Sequence, residues 1–107
     1  MSQTRNPIKS CKYLRQLAAM PEISRFLGII IAMYYESGTH QRPHFHVRFG
    51  EYRASFTMKP PALLAGAMPR RQQHLILAWA ERYQEQLLEN WERVLREDPL
   101  LQIPGLM

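Results

Sequence analysis

His44 and His46 stand two residues apart in the run Pro43-His44-Phe45-His46-Val47, and that spacing sets the chemistry open to them. Side chains two apart on an extended strand leave the same face, so both imidazoles project together. Such a pair can move protons, one ring as base and the other as acid, or it can share a metal ion. Arg48 and Arg53 fall on that same face if the chain folds back at Gly50-Glu51, and a guanidinium suits a charged phosphodiester intermediate. His44, His46, Arg48 and Arg53 together are the composition a metal-independent ribonuclease site requires. For a metal, Glu36, His40 and Glu51 are near in sequence. A catalytic zinc or iron site needs at least three protein ligands in defined geometry. Only the two histidines are well placed by spacing, so no metal and no cofactor is assigned.

Those four residues need a hairpin to bring them together. Phe45, Val47 and Phe49 alternate with His44, His46 and Arg48, and Tyr52, Ala54, Phe56 and Met58 alternate in the next segment. With Gly50 first in a two-residue turn, Phe49 faces Tyr52, Val47 faces Ala54 and Phe45 faces Phe56. The other face then pairs Arg48 with Arg53, His46 with Ser55 and His44 with Thr57. One register sorts every side chain consistently. It also sets two like charges opposite each other, which costs a few tenths of a kcal/mol up to about 1. Glu36 or a bound anion would offset that cost.

Arg70 and Arg71 are a second candidate anion site. Pro69 occupies a first helical position, which puts both arginines in the first turn, where backbone N–H groups are free. The macrodipole disfavours cations there, and both side chains extending into water is the simpler reading.

The remaining elements follow from periodicity. Gly28 to Tyr35 is β-branched and aromatic and reads as a central strand. Lys59-Pro60-Pro61 breaks the hairpin's second strand, and Leu63–Ala65 adds a short edge strand before Gly66. From Arg70 to about Glu97, Ile76, Trp79, Tyr83, Leu87, Trp91 and Val94 form a helical stripe, widened by Leu75, Leu77, Leu88 and Leu95. The spacing makes Trp79, Tyr83 and Trp91 core residues rather than a stacking platform for bases. Glu81, Glu85, Glu89 and Glu92 against Arg82, Arg93 and Arg96 form a solvated face, with Glu89–Arg93 and Glu92–Arg96 as i, i+4 pairs. The expected fold is α+β: a small antiparallel β-meander of three to four strands against one long C-terminal helix, bent near Arg82 to Gln84.

Composition narrows the function classes. The 107 residues allow one domain, and 46% apolar residues allow a modest core. No apolar run is long enough for a membrane helix, and no signal peptide is evident. The lone Cys11 fits a reducing cytoplasm. The net charge of +5 is concentrated at the start. Residues 1–19 carry Arg5, Lys9, Lys12 and Arg15 without an acid, whereas residues 20–107 are almost balanced. The first 19 residues therefore read as a basic extension, partly disordered or short-helical from Ser10 to Met20, ahead of a single domain over 20–107. Met20 is an alternative start. No phosphate-binding glycine loop, serine nucleophile motif or zinc-protease helix is present.

Several stretches in one order resemble a bacterial family called domain of unknown function 4160. They are Met20 to Phe26, Gly28 to Ile31, Pro43 to Val47, Gly50 to Tyr52, Met68 to Arg70, Trp79-Ala80 and Leu87 to Glu92. The likeness spans about residues 20–98. It implies a short bacterial protein without an established activity, often encoded beside a second small protein, sometimes as part of a toxin–antitoxin-like module. Within it, His44 and His46 are the functional candidates.

Three functions follow as expectations. The first is a partner-binding component of a two-gene toxin–antitoxin-like or regulatory module, its partner the small protein of the neighbouring gene. The second is a His/Arg-dependent ribonuclease toxin. The third is a DNA-binding regulator using the basic extension and Arg70–Arg71, for which no helix-turn-helix pattern is visible.

Overall fold

A computed structural model describes residues 21–36 and 42–106. The basic extension, Cys11 and His40 lie outside the described residues. Five strands, β1 (Glu22–Phe26), β2 (Ile29–Ala32), β3 (His44–Phe49), β4 (Tyr52–Met58) and β5 (Pro61–Gly66), precede two helices, α1 (Arg70–Arg82) and α2 (Gln84–Arg96). The strands form one sheet in chain order, each antiparallel to the next. No helix of the described residues is long and apolar enough to cross a membrane.

The β3–β4 hairpin has the register its alternation predicts, from His44 opposite Thr57 to Phe49 opposite Tyr52. Gly50 takes a φ of +58° in the turn, a conformation glycine adopts without steric cost. Ile31 aligns with Val47 in the neighbouring strand, so β2 continues the same apolar face. That face meets the helices: Phe45, Phe56 and Ile31 from the sheet pack with Ile76, Trp79 and Leu87, all fully buried.

The sheet has five strands rather than three to four. The additional strand is β1, which is joined to β2 by Leu27 and Gly28, both at positive φ (52° and 80°). A two-residue turn of this kind usually announces itself by Asn-Gly or Asp-Gly, and leucine in the first position hides it. The expected edge strand at Leu63–Ala65 is β5 and starts earlier, because Lys59-Pro60 is a hairpin turn and Pro61 already pairs with Met58. β5 is an edge strand, where proline is tolerated.

The single long helix is two helices of 13 residues. The change of direction falls at Tyr83, within the expected bend, where ψ is +32°. The hydrogen-bond ladder survives it: Tyr83 N–H donates to Trp79 O at 3.0 Å, and Leu87 N–H donates to Tyr83 O at 2.9 Å. The apolar stripe faces the sheet as expected except for Leu95, which is exposed. Glu89 pairs with Arg93 at 3.2 Å, but Arg96 reaches Asp98 instead of Glu92.

The C-terminal tail has a structural task. Ile103 N–H donates to Ile23 O at 2.8 Å and the Gln102 amide donates to Glu22 O at 2.7 Å, so the tail runs along the outer edge of β1. Asn90, fully buried on α2, clamps the tail through Leu101. Its side-chain N–H donates to Leu101 O and its oxygen accepts from Leu101 N–H, both at 2.9 Å. Trp79 adds an indole N–H bond to Pro104 O at 2.8 Å. Replacing Asn90 with Ala strands both Leu101 groups and is expected to destabilise the fold by about 1–2 kcal/mol. Leu95→Ala, on the exposed side of the same helix, should stay within about 0.5 kcal/mol. Urea unfolding midpoints of the two variants test the difference.

Candidate functional site

The face of the sheet turned away from the helices is open. Arg25 of β1, Ile30 of β2, His46 and Arg48 of β3, and Arg53 and Ser55 of β4 line a cleft of about 510 Å³. Alternation along β3 and β4 places them there, because Phe45, Val47, Ala54, Phe56 and Met58 on the other face belong to the apolar core. Arg25 is held by Glu22 through two hydrogen bonds of 2.8 Å. Those bonds hold the Glu22 carboxyl below its usual range, and the charge of Arg48 adds to the effect. Arg48 and Arg53 stand opposite each other, and among the described residues neither has a carboxylate at ion-pair distance. The cleft thus sets three guanidiniums against one carboxylate.

At one end of this cleft the two histidines meet Glu36. His44 is almost fully buried, 7% exposed, with its ring against Trp91 of α2 at 5.2 Å between centroids. Its Nδ1 lies 2.7 Å from Arg42 O. A carbonyl oxygen only accepts, so Nδ1 carries a hydrogen and donates it. His44 Nε2 lies 2.8 Å from Glu36 Oε1. His46 is half-buried and stacks on Tyr34, ring centroids 4.3 Å apart and planes within 8°. Its Nε2 comes within 3.4 Å of the same Glu36 oxygen but is aimed too poorly for a hydrogen bond, which leaves a buried ring nitrogen unsatisfied. Burial pushes the His46 pKa down, against the pull of Glu36, and burial pushes the Tyr34 phenol up.

The predicted residues divide into three groups. His46, Arg48 and Arg53 line the cleft together. His44 joins them through Glu36 but turns its ring into the protein rather than toward the cleft. Arg70 and Arg71 are exposed at the start of α1 and do not line the cleft. Glu51 is exposed in the hairpin turn. Glu36 sits between the histidines, so the offset once assigned to it for the Arg48–Arg53 repulsion is not made at ion-pair distance. Sequence reasoning missed Tyr34 and Arg25. Tyr34 lay in a segment read only as a buried strand, and Arg25 preceded the first strand that was recognised.

Residues 28–92 match the family model described as Domain of unknown function (DUF4160). No curated protein and no solved structure matches the chain.

The two histidines should respond differently to truncation. His44→Ala removes two hydrogen bonds and a packed ring, and is expected to cost about 2 kcal/mol. His46→Ala loses a ring with an unsatisfied nitrogen and is expected to cost under about 1 kcal/mol. Equal losses in thermal or urea unfolding would contradict the division of roles.

Proposed function

The chain belongs to the DUF4160 family, whose description carries no activity, and we propose that it grips the phosphate backbone of single-stranded RNA in the open face of its sheet. The observation that supports this reading is the facing pair Arg48 and Arg53, two like charges set in a cleft beside Arg25. A sheet tolerates such a pair at a cost, and a bound phosphate relieves it. Tyr34 and His46, stacked on each other, also line the cleft beside the arginines, and base stacking next to a cationic groove is how single strands are held without base-specific contacts.

Cleavage by a His44–His46 acid–base pair has less support. Both His44 nitrogens already face oxygen atoms and the ring is buried, so it is poorly placed to reach a substrate proton. Double-helical DNA is disfavoured as well, because Arg70 and Arg71 stand apart from the cleft and the exposed face of the helices carries Glu81, Glu85, Glu89 and Glu92.

A partner protein is the second reading, and one observation favours it. β5 is exposed along most of its length, with Leu63 and Leu64 each about 40% exposed, while the tail covers the edge of β1. An edge strand with exposed leucines suits the addition of a strand from another chain. The small protein of a neighbouring gene in a toxin–antitoxin-like module is the partner this reading names.

Fluorescence anisotropy with a labelled oligouridine of roughly a dozen nucleotides tests the first reading. The Arg48→Ala/Arg53→Ala double variant should bind about tenfold more weakly. It should also lower the slope of log affinity against log salt by about 1.4, roughly 0.7 per lost phosphate contact. Wild type binding no better than the double variant at low salt would sink it. For the second reading, co-expression with the neighbouring protein should give a complex on size-exclusion chromatography that Leu63→Lys/Leu64→Lys abolishes. No complex with the wild type removes that partner.

A further inference from the structure

We propose that Glu36, His44 and His46 form a binding site for one divalent transition-metal ion. Each residue offers one ligand atom, and the three atoms lie within 4.8 Å of one another. Two of the three separations, 2.8 Å from Glu36 Oε1 to His44 Nε2 and 3.4 Å to His46 Nε2, are close to what coordination demands, and the third, between the two rings, is within 4.8 Å. Neighbouring ligands on an ion with bonds of about 2.0–2.1 Å stand about 3.0 Å apart in an octahedron and about 3.4 Å apart in a tetrahedron. Two imidazoles and a carboxylate with open positions are a donor set for zinc, iron(II), cobalt or manganese rather than magnesium or calcium, which take oxygen ligands.

The hydrogen-bond inventory points the same way. His44 donates from Nδ1 to Arg42 O, so in its neutral form the Nε2 lone pair faces the carboxylate oxygen. Two lone pairs pointing at each other need a positive charge between them, either a proton or a metal ion. A proton satisfies His44 and Glu36 alone. It leaves His46 Nε2 buried and unbonded beside the same oxygen. With the His46 hydrogen on Nδ1, a metal ion takes all three lone pairs at once.

The surroundings are those of a held ligand set. Metal-binding imidazoles commonly donate their second N–H to a backbone carbonyl, as His44 does to Arg42. Trp91 packs on the His44 ring and Tyr34 on the His46 ring, which limits the rotation of both. A cavity of about 370 Å³ lined by Glu36, Arg42, His44, His46, Ser55 and Leu64 opens beside the cluster, so the remaining coordination positions face space where water can enter. His46 and Ser55 also line the arginine cleft, which places the ion at the end of that cleft. The metal site does not depend on the RNA reading, because the ligands and the test involve no nucleic acid.

The experiment uses the full chain stripped with a chelator and desalted, then titrated with Zn²⁺ against a chromophoric competitor and followed by thermal melting. The expected result is one Zn²⁺ per chain, bound at on the order of 1 µM or tighter, with a higher Tm at saturation. Glu36→Gln and His46→Ala, checked for folding by circular dichroism, should each weaken binding by more than the roughly 10- to 100-fold that loss of an outer-shell partner costs. His74→Ala, exposed on α1, should bind as the wild type does. His44→Ala is not relied on, because that ring also supports the fold. Failure of the wild type to bind Zn²⁺, or equal affinity in the Glu36→Gln and His46→Ala variants, would overturn the proposal.

Discussion

Phe45 and Phe56 lie nearly parallel across β3 and β4, ring centroids 5.8 Å apart, and both are fully buried. Trp79 closes on Phe45 edge-on at 5.7 Å from the helix side. This aromatic contact pins the hairpin register, because a slip of β3 by one residue would carry Phe45 into solvent, away from Phe56, and drive His46 and Arg48 into the core. Everything on the open face inherits its position from that constraint. Burial of one face leaves the other no choice of register, so the polar side chains of the cleft are placed by apolar ones they never touch.

The hairpin and the helical stripe were legible in the sequence because each is a periodic pattern with a large apolar payload. Gly50 gave the turn a chemical marker, and Ile76, Trp79, Leu87 and Val94 marked one face of the helices. β1 was not legible, because Leu27 occupies a left-handed turn position that leucine seldom takes. The break at Tyr83, expected as a bend between Arg82 and Gln84, has no proline or glycine to make it a full helix end. The site was half visible: spacing put His44, His46, Arg48 and Arg53 on one face. Spacing says nothing about which ring is buried, and it could not show that His44 is drawn under Trp91 while His46 stays beside the cleft. Glu36 was named only as a neighbour in sequence. Its place between the histidines depends on how the chain leaves β2, which no periodicity encodes.

The cluster and the cleft carry opposite electrostatic problems in one face. In the cleft, positive charges are gathered with one carboxylate among them. At the cluster, nitrogens of two rings are gathered around a single carboxylate oxygen. An anion relieves the first and a cation the second, and the two sites share His46 and Ser55 as a common wall. An oxyanion lodged against Arg48 would therefore have a cation site as its neighbour, which couples the two occupancies through their charges.

The tail along β1 makes the two sides of the sheet unequal. One edge already has its backbone groups engaged by Ile103 and Gln102, while the other, along β5, is exposed. Self-association through strand pairing needs an acceptor edge on each copy, and among the described residues each copy has one to give. Two molecules meeting edge to edge would consume both, and a third would find nothing to continue from. Among the described residues the geometry thus favours a closed pair over an open-ended fibre, because the edge along β1 is already partly engaged.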